Sequence, residues 1–341
     1  MIPENTQTKE TILTGIKPTG RPHLGNYVGM IRPTIELIRG NSGALNVLFI
    51  ANYHAINAIN DRDELREYTY DIAASLLACG LNTEETIFYR QSDIPEVFEL
   101  ATILSAVTPK GLMNRAHAYK AAIDRNRSEG LADLDVGVNM GLYTYPILMA
   151  ADILLFDADI VPVGNDQVQH VEFARDIAGY FNRAYGAGLL KLPRHVVQPE
   201  AAAIPGIDGR KMSKSYGNTI PLFTDAQETE RLVRRVKTDA RSPEEPKDAE
   251  ESIIFRIYSA IANTEESTSF ARQFEKGGMS YGQAKATLTA KIVHEFRDRS
   301  EMYKHLLQNR TEIDDILRGG AEKARRRAHP VLQRVRDAIG V

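Results

Sequence analysis

The sequence predicts an α/β fold, a parallel sheet wrapped by helices, continued by an all-helical C-terminal part. Two observations carry this. Short, continuously apolar, β-branched runs alternate with amphipathic helical stretches through the first half, as in strands buried on both faces of a parallel sheet. After Asn218 the strand pattern stops and only helical periodicity continues. In such sheets ligands lie at the carboxyl ends of the strands, so functional residues belong in the strand-to-helix turns.

Residues 11–16 read as a first strand, ended by Lys17-Pro18-Thr19-Gly20, and a helical pattern follows over 26–38. Residues 46–51 are a second strand, and Asp61 with Glu64 forms a capping-box start for a helix running to Cys79. Residues 86–90 are a third strand, followed by a helix at Pro95. An apolar segment at helical spacing, 143–154, carries one carboxylate, Asp152, on the face that should be buried. Buried carboxylates need donors, and two sources are open: the end of a neighbouring helix, which Asp152 would cap, or a ligand. Val161-Pro162-Val163 resembles a strand entering Gly164-Asn165-Asp166-Gln167, where Gly164 lets a ligand approach the backbone, Asp166 can take hydroxyls and Gln167 can accept from an amino group. Helices are expected over 225–238, 250–262, 266–276, 280–298 and 312–339, with a flexible break at 242–246. Two stretches keep two readings each. Residues 113–137, with Arg115, Lys120, Arg125 and Arg127, are a mobile lid or a solvated basic helix; Arg325-Arg326-Arg327 is a solvated face or a contact for a nucleic acid or a second subunit.

At 341 residues the chain can hold one large domain plus a smaller one or two domains. Charged residues are 26% and the formal net charge is -3, so bulk charge does not mark a nucleic-acid binder, although a local basic face is compatible with it. The single cysteine, Cys79, excludes an internal disulfide and a cysteine-rich zinc site. No run approaches the ~18 apolar residues of a membrane span, and the N-terminus has no basic segment with an apolar core, which predicts a soluble, cytoplasmic protein.

The most informative stretch is Gly209-Arg210-Lys211-Met212-Ser213-Lys214-Ser215-Tyr216-Gly217-Asn218. Two ammonium groups and two hydroxyls between glycines can neutralise charge developing on phosphate oxygens. Composition alone allows an exposed basic turn, but K-M-S-K-S is a far rarer string, and it resembles the signature loop of the class I aminoacyl-tRNA synthetases. That class pairs it with a second signature in the first strand-to-helix turn. His23-Leu24-Gly25-Asn26 stands there, departing from the usual H-I-G-H at Asn26. Further stretches, 15–20, 25–27, 54–56, 142–155, 159–169 and 320–324, resemble the tryptophanyl-tRNA synthetase branch of that class and span nearly the whole chain.

The resemblance implies a Rossmann-like catalytic domain over 1–218 and a helical anticodon-binding domain over 219–341, whose last helix is open to packing back on the first domain. It implies ATP-dependent activation of L-tryptophan and transfer to tRNA(Trp), in the cytoplasm and as a homodimer, with Mg²⁺ entering on the ATP phosphates and no metal held by protein ligands. His23, Asn26, Lys211 and Lys214 would be catalytic. Lys17, Pro18, Thr19, Gly25, Asn26, Gly164, Asn165, Asp166 and Lys211-Met212-Ser213-Lys214-Ser215 would bind ATP. Tryptophan would be met by Leu13, Gly15, His54, Tyr145, Met149, Asp152, Val161, Val163 and Gln167. By this reading Asp152 accepts the indole N–H, Met149, Val161 and Val163 wall the ring, and Tyr145 with Gln167 holds the α-amino group. Leu13, Lys17 and Asn52-Tyr53 depart from the branch's usual residues, bearing on affinity more than on the reaction. The alternatives are a tyrosyl-tRNA synthetase, which an aspartate in this place would also suit, and an auxiliary or regulatory paralogue.

Overall fold

The computed structural model describes residues 9–197 and 204–341. In chain order its elements are β1 (Thr11–Ile16), α1 (Leu24–Asn26), a π turn (Tyr27–Ile31), α2 (Arg32–Gly40), β2 (Leu45–Ile50), α3 (Asn52–Ala55), α4 (Arg62–Ala78), β3 (Thr86–Arg90), α5 (Glu96–Val107), α6 (Lys110–Met113), α7 (His117–Ser128), α8 (Met140–Leu154), β4 (Ile160–Val163), α9 (Val168–Tyr185), β5 (Arg194–Val197), α10 (Ala226–Arg234), α11 (Ile253–Ile261), α12 (Thr264–Lys276), α13 (Tyr281–Gln308) and α14 (Arg310–Ile339). The fold is the expected one, a five-stranded sheet in the order β3-β2-β1-β4-β5 with every pairing parallel.

Alternation along the strands divides the core in two. Leu13, Val47, Phe49, Ile87 and Tyr89 face a layer that includes residues of α5, α8, α9 and α14. Ile16, Leu48, Ile50 and Phe88 face the other, where α2 and α4 share one apolar cluster with α11, α12 and α13. β1 and β2 pair along their whole length, whereas β1 and β4 pair only at Ile12 and Ile160. The sheet therefore opens at the carboxyl ends of β1 and β4, where the strand order reverses. That crevice is where a doubly wound sheet takes its ligand.

Local chemistry explains the helix starts. Asp61 accepts from the Glu64 N–H at 2.8 Å, but Glu64 turns to the Tyr68 hydroxyl, so only half of the expected capping box forms. Ser280 and Asn263 make complete boxes with Gln283 and Glu266. α13 runs ten residues beyond the expected end at 298. The 242–246 break is present but tied: Lys247 is buried, and its ammonium donates to the carbonyls of Ser242, Glu245 and Pro243 at 2.9, 3.0 and 3.3 Å. The basic stretch 113–137 contains the solvated helix α7, and Asn126 fastens the following loop through the Leu134 and Val136 carbonyls. Arg325, Arg326 and Arg327 are exposed, with Arg325 paired to Glu96.

α14 packs against the backbone of edge strand β3, where a Cβ on Gly320 would fall 1.7 Å from the Phe88 carbonyl oxygen. Only glycine lets the helix approach so closely. The edge is thereby covered. β5 and α9 were not anticipated. β5 is short and mostly exposed, so it carries no apolar signature. Among the described residues no helix is long and apolar enough to cross a membrane.

Candidate active site

The site is built at the ends of β1 to β4. On one side of the crevice α8 delivers Asp152, wholly buried on its inward face. Its carboxylate takes His54 Nε2 at 2.9 Å and Gln91 Nε2 at 2.8 and 3.0 Å. His54 lies just past β2 in α3, and Gln91 immediately follows β3. Burial pushes the Asp152 carboxyl up, and the His54 and Gln91 hydrogen bonds pull against that. The Tyr89 hydroxyl, also buried, has no hydrogen-bond partner among the described residues. Leu13, Val161 and Val163 are buried in the apolar cluster that Met149 flanks, and the Phe49 ring lies against Gly15.

Two turns before Asp152, the Tyr145 hydroxyl meets His170 Nε2, and His170 Nδ1 meets Gln167 Oε1 at 3.0 Å. Gln167 uses its amide nitrogen on Asp166 at 2.8 Å. Because the Gln167 oxygen can only accept, His170 donates from Nδ1 and accepts the tyrosine proton at Nε2. That neutral tautomer agrees with burial, which lowers the His170 pKa. Gly164, Asn165 and Asp166 are exposed at the mouth.

On the other side the two loops meet. Lys214 Nζ donates to the Thr19 carbonyl at 3.0 Å and sits 5.9 Å from the centre of the Tyr68 ring. Gly20, at φ +112°, makes room, since a Cβ there would stand 2.6 Å from Nζ. The Gly25 N–H points to Met212 Sδ at 3.3 Å, and Leu24 N–H donates to the Ile220 carbonyl at 3.0 Å. Asn26 Oδ1 accepts from the His23 N–H at 3.1 Å, leaving its amide nitrogen free to donate. His23 is buried, its Nδ1 has no partner among the described residues, and its pKa is lowered to about 4 by burial and then by the Lys214 charge. Desolvation also lowers Lys17 and Lys214, Asp71 partly opposing it at Lys214.

The signature loop is held by a residue not picked out from the sequence. Asn218 is buried, accepts from the Ser213 N–H at 2.8 Å, and donates to Asp208 at 2.7 Å and to the Lys211 carbonyl at 3.2 Å. Ser213 and Ser215 join their hydroxyls at 2.8 Å, and the Lys211 side chain is exposed. Pro18 is buried while Lys17 and Thr19 are exposed. The other residues missed are Gln91, His170 and Asp71. Gln91 stands at a strand's carboxyl end and His170 three positions after Gln167, so position rather than motif could have found them.

The geometry combines a switch-point crevice, a closed polar cluster on one side and a lysine loop on the other. A family model described as tRNA synthetases class I (W and Y) matches residues 5–297. The chain belongs to that family. The tryptophan–tRNA ligase of Neisseria meningitidis is 48% identical over 334 residues, covering 98% of each chain, and that of Pseudomonas aeruginosa is 49% identical over 332 residues, covering 97% of this chain and 73% of the other. The tryptophanyl-tRNA synthetase of Campylobacter jejuni, solved with ADP and tryptophan, superposes with a TM-score of 0.86 at 39% identity, covering 97% of this chain and 100% of that one. This aminoacyl-tRNA synthetase thus falls with the tryptophan–tRNA ligases along nearly its full length, and tyrosine as the amino acid is set aside.

Proposed function

We propose that the chain activates L-tryptophan with ATP and passes the acyl group to tRNA(Trp). The observation that carries this reading is the meeting of the two loops, Lys214 on the Thr19 carbonyl and Met212 on Gly25, across the crevice from Asp152. A tryptophan carboxylate oxygen attacks the α-phosphorus of ATP, the bond to the β-phosphate bridge breaks, and pyrophosphate leaves. Transfer to a tRNA ribose hydroxyl then expels AMP. The chain's own residues position the reactants and meet charge, with no bond formed between the enzyme and the substrate.

On the amino-acid side, Asp152 accepts the indole N–H beside His54 and Gln91, with Met149, Val161, Val163, Leu13 and Gly15 around the ring. Tyr145 and Gln167, fixed through His170, take the α-amino group. On the nucleotide side, the unpartnered His23 Nδ1 and the free amide nitrogen of Asn26 supply phosphate contacts, which supports a nucleotide here. Lys17, Pro18, Thr19 and Gly25 line one wall, Gly164, Asn165 and Asp166 the ribose side, and Lys211, Met212, Ser213, Lys214 and Ser215 close on the departing pyrophosphate. Mg²⁺ would arrive on the phosphates and spread their charge.

Residues 1–218 would be the catalytic domain and 219–341 the anticodon-binding one, a division supported by the end of the strand pattern. Exposed Tyr53, Ile56 and Met140 lie around an Asn57 to Gly141 hydrogen bond and suit a homodimer contact. The protein would work in the cytoplasm. The test is ATP–pyrophosphate exchange with tryptophan, tyrosine and phenylalanine in turn, followed by charging of tRNA(Trp). Exchange with tryptophan alone is expected, and exchange driven by tyrosine would overturn the assignment. Light scattering at micromolar concentration tests the dimer.

A further inference from the structure

One face of α13 reaches Tyr27, just past the first nucleotide loop, and Asp71 of α4. The Phe296 ring stands edge-on to Tyr27 at 4.9 Å, and Arg299 donates to the Tyr27 hydroxyl at 2.8 Å. Tyr27 directly follows the His23-Leu24-Gly25-Asn26 turn. One turn along the same face, the Tyr303 hydroxyl donates to Asp71 at 2.5 Å, with Phe223 stacked on the Tyr303 ring at 4.3 Å. Asp71 belongs to α4, is only 4% exposed, and has Arg21 Nε at 3.8 Å. Its charge acts on Lys214, whose ammonium lies over Tyr68, three residues before Asp71 on the same helix. A buried carboxylate is costly unless paired, and its tight partner here is a neutral phenol. The negative charge is thus left to act on the two cations of the nucleotide loops.

We propose that Asp71, oriented by Tyr303, is a positioning residue that holds the Lys214 ammonium at the first loop. It rests on the reading of Lys214 as the group that meets departing pyrophosphate. Thr19 supplies an acceptor and Tyr68 a ring face, and Asp71, one turn on from Tyr68 in α4 and beside Arg21, supplies negative charge on the same side. The ammonium is then already beside the phosphate site when ATP enters, and less side-chain freedom is lost during the reaction. Tyr303 fixes the carboxylate from a helix outside the sheet, so the arrangement of α13 bears on the lysine loop.

Asp71→Asn separates charge from packing, because the amide oxygen can still accept from Tyr303. Tryptophan-dependent exchange by this variant should lose about tenfold in kcat, with KM for tryptophan within about twofold of wild type and an unchanged thermal midpoint. Tyr303→Phe should lose about threefold in the same direction, and it carries the test should the first variant fold poorly. The deciding readout is single-turnover adenylate formation in a Lys214→Ala background, where Asp71→Asn should add almost nothing. An equal fold loss in both backgrounds, or a kcat unchanged in both single variants, overturns the proposal while leaving the activity intact. Wild-type protein without tryptophan-dependent exchange would instead sink the activity reading, and this inference with it.

Discussion

The two sides of the crevice solve opposite problems. Around Asp152 the polar groups are largely bonded to one another, buried Asp152 with His54 and Gln91, and half-buried Tyr145 and Gln167 each with His170, while the buried Tyr89 hydroxyl has no partner among the described residues. Around the lysine loop Lys17, Lys211 and Lys214 are exposed, and the buried His23 Nδ1 has no partner among the described residues. The closed side has its hydrogen bonds set before any ligand arrives, which favours discrimination by shape and by donor demand. The open side keeps its charges for groups that acquire charge only during the reaction, which favours rate. Mutations on the two sides should therefore fail in different ways.

The largest effect is expected on the closed side. Asp152→Ala should lower kcat/KM for tryptophan by on the order of 10³-fold or more, because the indole N–H loses its acceptor and His54 and Gln91 lose theirs. General loss of activity would be ambiguous, so the ratio of tryptophan to a benzothiophene analogue is the measure. That ratio should collapse. A variant that still rejects the analogue as wild type does would make Asp152 a structural residue only.

Lys214→Ala should cost on the order of 10²- to 10³-fold in kcat for adenylate formation, with little change in tryptophan binding. The chain contains no tryptophan, so the ligand's own fluorescence, excited beyond tyrosine absorption, reports binding without background. Parallel losses in binding and rate would erase the distinction between the sides. Asn218→Ala should fall between the extremes, losing about tenfold in kcat, since it unties the Ser213 N–H and the Lys211 carbonyl but removes no charge. If pyrophosphate exchange is unaffected by that change, the loop is held by something other than Asn218.

How much of this was legible in the sequence follows from how far each signal reaches along the chain. The strands at 11–16 and 86–90, the Asp61 cap and the 209–218 loop are local patterns, and they could be read directly. The burial of Asp152 followed from the apolar helix around it. Its partners did not, because His54 and Gln91 lie 98 and 61 positions away and converge only once β2 and β3 are paired. Tyr303 and Asp71 are 232 positions apart, and neither stands in a motif. Asn218 was passed over although it closes the stretch being read, since nothing in the string shows that its side chain turns back into the loop.

The smallest effect expected sharpens the comparison most, because it asks whether the open side is incomplete until nucleotide binds. His23 has a pKa of about 4, lowered first by burial and then by Lys214, so it is neutral at pH 7. Its folded value lies below the unfolded one of ~6.5, so the unfolded chain binds the extra proton first and stability falls as pH drops from about 6.5 toward 4. A phosphate placed against the unpartnered Nδ1 favours the charged ring and should raise that pKa. His170, already bonded at both nitrogens, should shift less. Following both imidazoles by NMR across pH, with and without a non-hydrolysable ATP analogue, measures the difference. Equal shifts at the two histidines, or none at His23, would show that phosphate does not complete the first loop.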